Sequence, residues 1–372
     1  VYVLILVTSM VKTGKAFTTS IMGSNFYRRQ PKAFVPKLSS HCSSGLSSGN
    51  NLCMYIADDG VSKVDQKMLQ LQNKQVPPKS HNIDDAEAMH GMPWKTSIGS
   101  IHQISQENNE ENKHKSPVDN GVPLLYMPFW EWQMSFMKDN LTNLRVVPCS
   151  DATIHRHDYH YNENRWKKAR IVNLCFQSEE YRKIRMTYYD AGDKTQVFNC
   201  LWYPHPKYNL PVLGVDLLAF NQKKYLTIVD FQPINDKEED HMCTYEHLLK
   251  PIRDDYQNLK GRMSNKFYDE NFFFSDQMVF SRFEDQSIIY DELYPAFQRY
   301  LTTHVDLIKR NKPSESLGDM RFVLERHAAY DTYSAERDPA LGLLSAMFGR
   351  DWSEGFMHDF LFDMSDNENE VC

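Results

Sequence analysis

The sequence predicts an α+β layer fold, an antiparallel sheet covered by helices. Three observations lead there. Four strand-like runs follow one another between residues 181 and 234, their connections are too short to hold crossover helices, and the long helical patterns come mainly after them.

The folded part opens at "GVPLLYMPFWEWQMSFMKDNL" (121–141), where aromatics and methionines at three- and four-residue spacing predict a buried helix. The strand candidates are "YRKIRMTYYD", "TQVFNCLWYP", "LPVLGVDLLAF" and "KKYLTIVDFQPI", separated by the turn signals "AGDK", "HPKYN" and "NQ". Neighbours joined this closely pair antiparallel, so the strands form a meander. Helical spacing then runs through "IIYDELYPAFQRYLTTHVDLIKRN", "MRFVLERHAAYDTYSAER" and "WSEGFMHDFLF", with no internal repeat.

Upstream, residues 37–120 are dominated by Ser, Asn, Gln, Lys and His and read as mostly linker. The N-terminal "VYVLILVTSMV" is too short to span a bilayer, and the stretch after it is rich in Lys, Arg and Ser and has no acid. That pairing, with Phe17 after Ala16, resembles the two-part presequence of algae whose plastids lie inside extra membranes. The expected organisation is a plastid-targeting presequence and linker over 1–120 and a catalytic domain over 121–372, free of the membrane once mature.

The net charge of −7 gives no overall bias toward nucleic acid. Seven scattered cysteines without a C-x-x-C pair suggest neither a disulfide framework nor a cysteine-ligated cluster. There is also no P-loop and no G-x-G-x-x-G fingerprint. A redox reaction on this chain would borrow its electron carrier from a partner or a ligand.

Two strands carry polar residues where apolar ones are expected. In "LPVLGVDLLAF" both faces are apolar around Asp216, so an unpaired carboxylate there would be held protonated by desolvation, whereas an arginine partner would keep it ionised. Gly214, two residues earlier on the same face, suggests close approach by a ligand or another backbone. Asn199 shares its face with Val197 and Leu201 and needs partners from backbone or ligand. Asp338 precedes Pro339 and "ALGLLSAMFG", the pattern of a helix N-cap with Gly349 ending the helix, and "DWSE" (351–354) has the form of a capping box.

"MTYYDAGDKTQVFNCLWYP", "YNLPVLGVDLLAF", "LTIVDFQPI" and "YDTYSAERDPALGLLSAMFGRDWSEGFMHDFLF" together resemble the ferredoxin-dependent bilin reductases, over about residues 121 to 372. The resemblance implies a three-layer α/β/α sandwich with an open-chain tetrapyrrole held between the sheet and the C-terminal helices. It implies no bound metal or organic cofactor, with reduced ferredoxin as external electron donor. Asp216 and Asp338 match the family's strand and helix-side aspartates and would donate protons across the pocket. Asn199 stands where phycocyanobilin-forming relatives carry histidine, and so argues against that product.

The branch suggested by "YSAERDPALGLL" and "DLLAF" reduces the A-ring diene of 15,16-dihydrobiliverdin to phycoerythrobilin. Sister branches acting on biliverdin, which form 15,16-dihydrobiliverdin or phytochromobilin, are the alternatives. A non-catalytic bilin carrier is a third, disfavoured because a carrier needs neither acid. Arg282 is the candidate partner for a bilin propionate, and it reads equally well as a surface arginine. Ferredoxins are acidic, so "RWKKAR" (165–170) and "YRKIR" (181–185) are candidate docking segments, or solvated strand edges. The upstream bilin reductase and bilin lyases complete the expected partners.

Overall fold

A computed structural model of the chain describes residues 61–77, 80–85, 92, 94, 96–98, 123–147, 160–234, 239–263 and 272–366. The predicted presequence lies outside them. In chain order the elements are α1 (Lys63–Gln72), β1 (His81–Asn82), α2 (Met127–Asn140), β2 (Arg145–Val146), β3 (His160–Asn164), β4 (Ala169–Gln177), β5 (Tyr181–Asp190), β6 (Thr195–Pro204), β7 (Val212–Phe220) and β8 (Lys224–Gln232). There follow α3 (Glu239–Cys243), α4 (Glu246–Asp255), β9 (Val279–Phe283), α5 (Tyr294–Arg310), α6 (Leu317–Arg337), α7 (Ala340–Phe348) and α8 (Arg350–Gly355).

The strands form one antiparallel sheet in the order β1-β2-β4-β5-β6-β7-β8-β9, and β3 pairs with the first half of β4. The four predicted strands are its centre, β5 to β8. Alternation sends their side chains to two layers. On one face Met186, Phe198, Val215 and Val229 pack on Trp130 of α2 and Phe297 and Leu301 of α5. On the other, Ile171, Tyr189, Leu218 and Ile228 pack under Tyr330, Leu344 and Phe356 of the C-terminal helices. The architecture is the predicted helix–sheet–helix sandwich.

Several readings change. β1 and β2 have two residues each and exist through pairing alone, β2 with the end of β4, so no sequence period reveals them. The stretch read as mostly linker contains α1, whose N-cap Ser62 accepts the Asp65 N–H at 3.1 Å. Its Met68 packs with Leu324 and Met364, so the folded unit reaches at least 60 residues upstream of the expected boundary. "YRKIR" is not a docking edge: β5 has a strand on both sides, and Arg182, Lys183 and Arg185 are buried under α6 and the C-terminal segment, bonded to His327, Asp363 and the Leu361 carbonyl.

"DWSE" is not a capping box either. Gly349 occupies the N-cap of α8 at φ 97°, Asp351 lies inside the first turn, and Arg350 binds Glu354 at 2.7 Å. The same Gly349 ends α7 as predicted. A π-helical turn over 356–361 follows α8 and turns Phe356 and Leu361 toward the sheet.

Candidate active site

Between the second sheet face and α7 lies a cleft of about 520 Å³. Its sheet wall is Ile171, Arg185, Thr187, Tyr189, Val197, Asn199, Asp216 and Leu218, and its helix wall includes Asp338, Leu343, Leu344, Phe356 and Leu361. Three of the four residues expected to act on or bind the substrate, Asp216, Asn199 and Asp338 but not Arg282, therefore face one space.

Register explains the sheet side. Thr187, Asn199 and Asp216 lie across from one another on β5, β6 and β7, and all three project to the cleft face. Asn199 Nδ2 donates to Asp216 Oδ1 at 3.1 Å, and Asn199 Oδ1 accepts from Arg185 Nη1 at 2.5 Å. Arg185 also donates through Nε to the Leu361 carbonyl at 3.0 Å, an acceptor supplied by the π-helical turn. Of the two alternatives left open for Asp216, the unpaired carboxylate is ruled out: it accepts the Asn199 amide, which is itself held by Arg185.

Behind Thr187 a second polar chain continues. Thr187 Oγ1 donates to Asn173 Oδ1 at 2.7 Å, and Asn173 Nδ2 lies 3.0 Å from His160 Nδ1. Burial pushes His160 down to about 4, so the ring is neutral at physiological pH and its Nδ1 can accept that amide hydrogen. This chain fixes the orientation of the wall without adding charge to it.

Asp338 comes from the other side. Its Oδ1 accepts the Ala340 N–H at 2.7 Å, so its side chain caps the first residue of α7 as expected, although by backbone Pro339 holds the N-cap position and Asp338 ends α6. Burial raises its carboxyl to about 6. The Ala340 N–H and the Arg185 cation oppose that shift, while the Asp216 carboxylate adds to it. An acid titrating there can donate a proton near neutral pH and recover it afterwards.

Gly214 has another explanation. A Cβ there would meet Gln232 Oε1 at 2.6 Å, so the glycine makes room for the Gln232 amide, which accepts from the Tyr330 hydroxyl. Arg282 is exposed on edge strand β9, outside the cleft wall. It pairs in register with Leu226, which pairs with Leu218, so it lies on the same face of the sheet as Asp216. A further buried acid on that face, Asp230, is raised to about 7 by burial and is occupied by Ser275, whose N–H it accepts at 2.9 Å.

Arg185 is the principal member of the site that sequence reasoning missed. Its signal was present, since alternation in "YRKIRMTYYD" puts Arg185, Thr187 and Tyr189 on one face, but a basic strand reads more readily as solvated. Among the described residues no group of three or more His, Cys, Asp or Glu side chains is placed to hold a metal ion.

The chain is similar to known proteins in sequence and in fold. A sequence family described as "Ferredoxin-dependent bilin reductase" matches residues 145–363. A "15,16-dihydrobiliverdin:ferredoxin oxidoreductase" of Nostoc punctiforme is 36% identical over 241 residues, covering 64% of this chain and 95% of that protein. A protein of the same name from Gloeobacter violaceus is 37% identical over 206 residues, covering 55% and 84%. Among solved structures, tomato phytochromobilin synthase in complex with biliverdin matches with a TM-score of 0.56 at 20% identity, over 64% of this chain and 83% of that one, a likeness of fold.

Proposed function

The chain belongs to the ferredoxin-dependent bilin reductases, and from that premise we propose that it reduces biliverdin to 15,16-dihydrobiliverdin. The observation that carries a proton-coupled reduction is the pair of buried acids, Asp216 and Asp338, on opposite walls of one largely apolar cleft. The choice of bond rests on the relatives' name. Names of this form put the electron donor first, so 15,16-dihydrobiliverdin is the reduced member of the couple. When reduced ferredoxin supplies the electrons, it becomes the product.

The balance is two electrons from two ferredoxins and two protons, with hydrogen added at C15 and C16. Electrons pass from ferredoxin to the bilin with no cofactor held by the protein. Each electron leaves negative charge on the tetrapyrrole, and the buried Arg185 beside the cleft favours that state electrostatically. Asp338 delivers one proton from the helix side, and Asp216, oriented by Asn199, serves the sheet side. Arg282, two strands from Leu218 on the same face, is the proposed partner for a propionate that extends out of the cleft toward the sheet edge. The plastid is the proposed compartment, on the strength of the N-terminal composition.

A second reading, reduction of 15,16-dihydrobiliverdin to phycoerythrobilin at the A-ring, is favoured by the blocks "YSAERDPALGLL" and "DLLAF" and uses the same acids. The test is an anaerobic reaction with reduced ferredoxin, biliverdin and 15,16-dihydrobiliverdin being offered separately and followed by absorbance. Consumption of biliverdin with accumulation of 15,16-dihydrobiliverdin is the expected result. Conversion of 15,16-dihydrobiliverdin to phycoerythrobilin would establish the second reading, and binding of both without reduction would make the protein a carrier.

A further inference from the structure

The two ends of the sheet differ in charge. At one end lie the turns β3–β4 (165–168), β5–β6 (191–194) and β7–β8 (221–223), brought together by the pairings Asn164↔Ala169, Arg170↔Asp190, Thr195↔Phe220 and Phe220↔Lys224. With Lys224, the first residue of β8, they carry six cations, Arg165, Lys167, Lys168, Lys194, Lys223 and Lys224, against Asp193, while the segment leaving β9 at the same end adds Glu284 and Asp285. At the other end, the connections 178–180 and 205–211 carry Glu179 and Glu180 against Lys207. The basic end is therefore a local feature of a chain whose net charge is −7.

The basic end is also the end nearest the cleft. Ile171, Tyr189, Val197 and Leu218, all cleft residues, lie within three residues of these turns. At about 3.3 Å per strand residue, Ile171 is roughly 10 Å along the chain from Lys168. At the tip of the β3–β4 turn Trp166 is 96% exposed, whereas the next most exposed large apolar residue among the described residues, Val76, reaches 54%. The turn itself is tied down: Asn164 Nδ2 and Lys167 Nζ donate to the carbonyls of Met347 and Ala346 at the end of α7, and Arg165 pairs with Glu163 at 3.2 Å. A pre-positioned indole surrounded by cations has the composition of an interface anchor.

We propose that this turn-bearing end of the sheet is the docking surface for ferredoxin, with Trp166 as its apolar contact and the lysines of the three turns meeting the acidic face of the partner. The inference rests on the ferredoxin-driven reading above and adds the place of entry. Charge complementarity would orient the encounter so that the electron carrier arrives beside the open cleft rather than at the far, acidic end.

Docking is tested without turnover, by calorimetric titration of the full chain with oxidised plant-type [2Fe–2S] ferredoxin. Lys167→Glu/Lys168→Glu, Lys223→Glu/Lys224→Glu and Trp166→Ala are each expected to weaken binding by about tenfold. Lys207→Glu, at the other end, is expected to leave it within about twofold. Biliverdin affinity, read from the bilin absorbance, stays unchanged in all four and certifies the fold. For the unmodified chain, affinity should fall steeply with added salt. Wild-type binding in the first three variants, an equal loss in Lys207→Glu, or a salt-independent affinity would overturn the proposal. Failure of the chain to reduce either bilin would instead count against the catalytic reading and leave this binding result to stand on its own.

Discussion

Asn199 holds Asp216 in place: its amide donates to the carboxylate at 3.1 Å across the register of β6 and β7, and is itself held by Arg185. An amide has two ends, and here the oxygen is taken by a cation so that the N–H must face the acid. Asn199→Leu should therefore leave bilin binding within a few-fold while lowering kcat by about tenfold, whereas Asp216→Asn should lower it by about a hundredfold. Single-turnover absorbance measurements separate the two. Equal kcat in wild type and Asp216→Asn would remove Asp216 from the proton path.

Asp338 combines a structural and a chemical task, and Asp338→Asn separates them. Asparagine keeps an oxygen for the Ala340 N–H but has no proton to give. The carboxyl is raised from 3.8 to about 6 in the fold, so the native state binds this proton more tightly than the unfolded chain. Its contribution to stability is then full below about pH 4, falls as pH rises to about 6, and is flat beyond. The expected outcome is a variant more stable than wild type at pH 7, by on the order of 2 kcal/mol, with no such gain at pH 4. Its turnover should drop by about a hundredfold, and the limb near pH 6 in the kcat profile should vanish. Denaturant titrations at the two pH values and a pH series of kcat check both halves.

Much of this site was legible because it breaks a local rule. Asp216 and Asn199 interrupt strands that are otherwise apolar, and Asp338 sits at a helix start that has its own local explanation. Arg185 and the hydrogen-bonding role of Asn199 were not legible, because they depend on which strands become neighbours. Gly214 was read correctly as a close approach but assigned to the wrong neighbour, since Gln232 reaches it only after β8 has paired with β7. The same limit applies to β1, β2 and α1, short elements stabilised by distant partners rather than by their own period.

One of those distant partners is Asp363, which lies 2.9 Å from Lys183 and 3.4 Å from both Arg182 and Lys67. Burial alone would raise its carboxyl, but the three cations outweigh it and hold it well below the usual range. Its folded pKa is depressed, so the stabilisation is present at neutral pH and is lost as pH falls through that depressed value. Asp363→Ala leaves buried Arg182 and Lys183 poorly compensated, and a loss of about 3 kcal/mol at pH 7 is expected. Chemical denaturation at pH 7 measures it, and repeating the experiment in acid should show the gap between variant and wild type narrowing.

Lys67 brings α1 into that network, and this sets a requirement on where a shortened chain can begin. Lys63 Nζ donates to the Ser365 carbonyl at 2.8 Å, Lys67 meets Asp363, and Met68 covers Leu324 and Met364. Starting the chain at residue 80, just after α1, would expose that apolar patch and remove one of the three cations that hold Asp363. Full burial of one methionine contributes about 2 kcal/mol, and the partly buried Lys67 pair adds less. A chain starting at residue 80, which lacks α1 but keeps β1, should therefore melt several degrees below one starting at residue 61. Lys67→Met in the longer chain should reproduce only the ionic part of that loss. Because α1 lies outside the cleft wall, biliverdin affinity should be alike in both chains. Equal melting temperatures would show that α1 contributes nothing to the stability of the fold.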